Sequence, residues 1–208
     1  MDIQLILLTI VIVIFSAVLH EIMHGFVANK LGDSTARIMG RLTLNPIPHI
    51  DPIMSVILPA LLILLTQGQI IFAAAKPVPV NPIHFKDPRK DMALVALAGP
   101  LTNFLIACVA ALLANIFIGN DMVYAILRLI VYINLSLGFL NLLPIPPLDG
   151  SRVFSLVLSD DMARTYFSIE RYGIFILFFL LSFPIAGISI GDILSHLVRV
   201  SMQFLLRF

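Results

Sequence analysis

From Ile3 to Leu19 the chain carries no charged residue, and Gln4, Thr9 and Ser16 are its only polar interruptions. A helix over residues 3–28 is about 39 Å long at about 1.5 Å per residue, enough to cross a hydrocarbon layer. The rest of the chain is built the same way: it is 60% hydrophobic and 12% charged, with a mean hydropathy of +1.04. A soluble globular domain is about a quarter charged, so a free-standing soluble enzyme is excluded. With 208 residues and roughly 20 apolar residues needed per pass, about four to six spanning or re-entrant helices fit. A net charge of +1 without a long basic run argues against a nucleic-acid partner, and Cys108 alone cannot form an intrachain disulfide. Residues 1–19 lack the basic start and small-residue cleavage site of a signal peptide and run directly into His20, which predicts a retained helix.

Apolar stretches over 53–75, 91–118, 121–143 and 172–190 are separated by polar, Pro-punctuated or basic connections. Residues 36–44 hold β-branched and apolar side chains and predict a small interfacial β-hairpin. Two segments, 45–52 and 81–88, share the pattern N-P-I-x-x-x-D-P, expected as one helix-start chemistry used twice, Asp at the N-cap and Pro first in the helix. Lys and Arg cluster in loops 29–50, 76–90 and 151–171 and are absent from 1–28 and 119–121. The positive-inside rule makes the three basic loops cytoplasmic. The segment 53–75 between two of them then enters and leaves on one side, as Pro59 and Gly68 permit in a broken or re-entrant element.

At the cytoplasmic end of the first helix stands His20-Glu-Ile-Met-His24. Residues i and i+4 share a helical face, which sets both imidazoles toward one zinc ion and leaves Glu21 beside them as a base toward water. A solvated helix end is the competing reading. An ionisable cluster continuing a 17-residue uncharged run, with no Lys or Arg until Lys30, is costly without partners. Catalytic zinc takes three protein ligands, and Asp149 is the best third candidate, at the end of N-L-L-P-I-P-P-L-D-G (141–150) and at the same cytoplasmic level. Its alternative is an N-cap for a short helix over 151–158. Asp33, Asp51 and Asp87 read as turn or cap residues, and His49, His84 and His196 as surface or capping residues. Asn103, inside an apolar stretch, is read equally as an interhelical hydrogen-bonding group or a site residue.

Four motifs in order, H-E-I-M-H-G-F-V-A-N-K-L-G-D (20–33), A-K-P-V-P-V-N-P (75–82), A-G-P-L-T-N (98–103) and the Asp149 segment, make the chain resemble the site-2 proteases, zinc metalloproteases that cleave inside the membrane. The resemblance is to the short bacterial and archaeal branch without PDZ or CBS domains. It implies His20, His24 and Asp149 as ligands of one Zn2+ per chain and Glu21 as catalytic acid/base. Asn141 matches a family asparagine that holds the substrate carbonyl or oxyanion. The apolar residues 53–72 depart from the family's minimal core.

The expectation is an all-α polytopic membrane protein and a single protease domain, 1–208, with a core over 1–158 and C-terminal helices over 165–208. It would act in a prokaryotic cell membrane, near the cytoplasmic side, on transmembrane protein substrates within the lipid bilayer. An edge strand from 36–44 would hold the unwound substrate extended. The rival expectation is a metal-handling membrane protein or transporter that uses the same His/His/Asp site without hydrolysis.

Overall fold

The computed structural model describes residues 3–51, 75–184 and 186–206. The element expected over 53–75 lies outside the described residues apart from Ala75. Regular structure is almost wholly helical: α1 (Ile3–Lys30), α2 (Thr35–Ile38), α3 (Pro88–Ile116), α4 (Asp121–Asn141), α5 (Asp149–Phe154), α6 (Asp160–Ser168), α7 (Gly173–Ser182) and α8 (Ile190–Leu205). Among the described residues, four helical stretches are long and apolar enough to cross a membrane: Ile3–Lys30, Pro88–Ile116, Asp121–Asn141 and Asp160–Ser182. The protein is an integral membrane protein. The chain divides into two compact units, Met1–Pro88 and Arg89–Phe208.

In the second unit α3 turns an alanine face inward. Ala107, Ala110, Ala111 and Ala114 are buried with Val131 and Leu135 of α4 and with Val198 and Leu206. Their spacing of three and four residues places them on one side of the helix, and small side chains let helix backbones approach closely in lipid, where burial of oily surface cannot drive association. Asn103 continues the same face one turn earlier. Its Nδ2 donates to Asn134 Oδ1 at 2.9 Å, both residues are fully buried, and Asn134 Nδ2 donates in turn to the Ile130 carbonyl. Asn103 therefore takes up the interhelical role, with a partner that the sequence did not single out. α8 begins with a capping box, Ser189 and Asp192 each accepting the other's backbone N–H.

In the first unit the expected β-hairpin over 36–44 is absent. Thr35–Ile38 is a helical turn, and Gly40, at φ +66°, reverses the chain so that the Gly40 and Arg41 amides donate to the Arg37 and Ala36 carbonyls. The backbone groups a ladder would need are consumed locally, which β-branched composition does not reveal. The repeated N-P-I also has a reason of its own. Asn45 accepts the Ile47 amide and Asn81 the Ile83 amide, at 3.1 and 3.2 Å; Asn81 thereby caps the 3-10 turn Pro82–His84, while Asn45 stands one residue ahead of the turn Ile47–His49, whose N-cap is Pro46.

Asp33 ties the turn after α1 to the second of these 3-10 turns. It is fully buried and accepts from the Thr35 amide and hydroxyl, from the Asn81 amide at 2.7 Å and from His84 Nδ1 at 2.9 Å. Burial pushes its carboxyl up, but the Thr35 hydroxyl, His84 and the two backbone amides together outweigh it and bring the pKa down to about 2. A depressed folded pKa means stability that is present in full above the ordinary carboxylate range and is lost as pH falls through about 2. Asp33→Asn should cost about 2 kcal/mol at neutral pH. In unfolding of the detergent-solubilised protein, the gap from wild type should stay constant above about pH 4 and close as pH approaches about 2.

Candidate metal centre and catalytic carboxylate

The H-E-x-x-H face opens the last three turns of α1. His20 Nε2 and His24 Nε2 stand 2.9 Å apart, with their rings edge to face at 88°. Both residues are only 8% exposed, and Glu21 offers a carboxylate oxygen within 4.8 Å of the two imidazole nitrogens. Two nitrogens bound to one tetrahedral zinc at about 2.05 Å lie about 3.3 Å apart, close to the spacing observed. Two converging imidazoles with one carboxylate beside them suit zinc in donor chemistry as well as in position.

Glu21 accepts the Val78 amide on Oε2 at 2.8 Å. Val78 belongs to the segment 75–81, which has no regular secondary structure, and Pro77 and Pro79 leave Val78 as the sole backbone donor between Lys76 and Val80. The segment is tied down residue by residue. The Lys76 amide donates to the His49 carbonyl at 2.8 Å, Arg41 Nη2 donates to the Lys76 and Pro77 carbonyls at 2.7 and 3.2 Å, and the Asn81 amide donates to Asp33. Gly25, immediately after His24, lets the segment close on the helix: a Cβ there would sit 2.7 Å from Leu42, 2.9 Å from the Val78 side chain and 3.0 Å from Ala36. Arg41, Val78 and the buried role of Asp33 were not found by reading motifs for ligands. The proline alternation in K-P-V-P-V is the signal that could have pointed to them, because it marks a stretch that side chains must hold.

The remaining predicted site residues lie in the second unit. Asp149 is the first residue of α5 rather than its N-cap; that position is Leu148, which has no side chain capable of capping. The helix also ends at Phe154 and continues as a 3-10 turn, Ser155–Val157. A Cβ at Gly150 would collide with the Leu142 and Leu143 carbonyls, so the start of α5 lies directly against the backbone that follows α4. Asn141 ends α4 and donates through Nδ2 to the Leu137 carbonyl at 3.0 Å. His49 corrects the surface reading: it is 2% exposed, with Nε2 3.1 Å from the Thr43 carbonyl. The His84 side chain is about half exposed and pairs with Asp33, and His196 is exposed on α8.

Residues 118–183 match the model of peptidase family M50. The chain is 33% identical to YwhC of Bacillus subtilis over 198 residues, covering 89% of this chain and 85% of that protein. It is 31% identical to Rip2 of Mycobacterium tuberculosis over 206 residues, 93% of this chain and 77% of the relative. A zinc metalloprotease of Methanocaldococcus jannaschii is 26% identical over 149 residues, 72% of this chain and 34% of that protein. No solved structure matches the chain significantly. Elemental analysis of the purified protein should return about one zinc per chain, and His24→Ala should strip it, because it removes one of the two imidazoles that converge on the ion.

Proposed function

Because the chain belongs to peptidase family M50, the site-2 proteases, and is a zinc metalloprotease, we propose that it hydrolyses peptide bonds within or near the transmembrane segments of membrane proteins. The observation that carries this reading is the placement of His20, Glu21 and His24 in the last turns of a 28-residue apolar helix. Membership of a peptidase family also decides against metal handling without hydrolysis.

In this reading His20, His24 and Asp149 hold one zinc ion, and residues 1–208 act as a single protease domain. Zinc, when bound, supplies Lewis acidity toward the scissile carbonyl and toward water. Glu21 takes the proton of the attacking water and delivers it to the leaving amine. Asn141 donates to the developing oxyanion; a primary amide has two N–H groups, and the one spent on Leu137 leaves a second for substrate. The basic loops 29–50, 76–90 and 151–171 set this chemistry on the cytoplasmic side, where water reaches a cleft below the headgroups. A substrate helix hides its carbonyls in its own hydrogen bonds, so helix-destabilising residues near the cut are the expected substrate feature.

Co-expression with a panel of single-pass membrane proteins tests the proposal. The wild type should cut at least one, and Glu21→Gln should keep its zinc while losing cleavage by about 10²–10⁴-fold. Asn141→Ala should lower turnover by about 10²–10³-fold with zinc retained. Asp149→Ala should lose both zinc and cleavage; undiminished zinc with unchanged cleavage would remove Asp149 from the site. Full proteolysis by Glu21→Gln would refute its acid–base role.

A further inference from the structure

Arg41 is 7% exposed, and its guanidinium is directed at backbone: Nη2 donates to the Lys76 and Pro77 carbonyls. The next residue along is Val78, whose amide is held by Glu21. An arginine in so buried a place needs acceptors that can take several donors in a fixed fork, and here those acceptors are successive carbonyls immediately before the residue that meets the carboxylate. On the other side of the Lys76 carbonyl the chain is fixed again, by the Lys76 amide on the His49 carbonyl. Side chains and single backbone links thus fix a proline-rich strap whose one amide between Lys76 and Val80 is spent on Glu21.

We propose that Arg41 is a positioning residue for Glu21: it holds the strap so that the Val78 amide fixes one oxygen of the carboxylate beside the metal ligands. The proposal rests on the protease reading, since a fixed carboxylate matters for proton transfer. A glutamate side chain has three rotatable torsions, and a charge-assisted hydrogen bond from a backbone that cannot move away removes most of that freedom at one end. Geometry of this kind is where misplacement by about 1 Å can cost about 10²-fold in rate.

Two kinds of measurement on the full-length protein in detergent test it. In the first, amide hydrogen exchange is followed across residues 75–81, where only Ala75, Lys76, Val78, Val80 and Asn81 carry exchangeable amides. Val78 should be protected in the wild type, and its exchange should accelerate at least about tenfold in Arg41→Gln and in Glu21→Ala. Unchanged protection of Val78 in Arg41→Gln overturns the proposal whatever the enzyme cleaves.

In the second, cleavage of a membrane substrate is compared among variants. Val78→Pro, which lacks the donor, should lower kcat by about ten- to a hundredfold with KM and zinc content unchanged, while Val78→Ala, which keeps the donor but trims the side chain packed on Gly25, should lower kcat much less than Val78→Pro. Arg41→Gln should lower kcat as well, and the Arg41→Gln/Val78→Pro double variant should be no slower than Val78→Pro alone, because both substitutions remove one contact. Multiplying losses, or a wild-type kcat in Val78→Pro, refutes the coupling. Exchange that behaves as stated in a protein that cleaves no membrane substrate would instead defeat the protease reading, and with it the catalytic purpose of the strap.

Discussion

Polar groups at the end of a membrane-crossing helix must find their partners inside the protein, because hydrocarbon offers none and each unsatisfied group costs several kcal/mol. That constraint organises the first unit. His20, Glu21 and His24 continue an apolar run, and loops of the same unit bring partners to this face: the Val78 amide to Glu21, the Leu42 and Val78 side chains to the side opened by Gly25. The loops in turn are held by buried polar side chains, Asp33 on the Asn81 amide and Arg41 on the Lys76 and Pro77 carbonyls. The polar links in this chain of support are hydrogen bonds to backbone, which suits a segment whose prolines prevent it from joining a ladder.

The second unit meets the same constraint by another route. Its helices approach through alanine, and the polar pair Asn103–Asn134 is satisfied between them. Interhelical hydrogen bonds in membrane proteins average only about 0.6 kcal/mol, so the pair contributes more to register than to stability: an amide displaced by one turn would be left unpaired in an apolar environment. The tight backbone approach at Gly150 does for α4 and α5 what the alanines do for α3 and α4. Both devices place side chains through backbone proximity.

Much of this was legible in the sequence. Length and apolarity placed three spanning helices, Ile3–Lys30, Pro88–Ile116 and Asp121–Asn141, within about three residues, since a run such as 3–28 has no other stable form in lipid, whereas the stretch read over 172–190 is part of a helical stretch that begins at Asp160 and ends at Ser182. The i, i+4 histidines were legible because helical geometry alone puts them together. The β-hairpin over 36–44 was misread because propensity weighs side chains, while the outcome turned on a left-handed Gly40 that returned the chain's amides to its own carbonyls. Asp149 was weighed as an N-cap, but the cap position fell one residue earlier, on Leu148, a residue no sequence rule would choose. His49 was placed at the surface because histidine in a loop usually is, whereas here a 3-10 turn carries it inward.

Arg41 and Val78 show the limit of motif reading most clearly. A hydrogen bond between a side chain and a backbone amide 57 residues away leaves no trace in residue identity at the amide's end, because every non-proline residue supplies the same N–H. What the sequence can show is where such donors are scarce. In K-P-V-P-V the prolines at 77 and 79 leave Val78 with no neighbouring donor on either side, so one amide is singled out by subtraction. The same subtraction explains why a cation is needed nearby: with no ladder to satisfy them, the strap's carbonyls require a donor with several hydrogens, and Arg41 provides it through a single nitrogen on two of them.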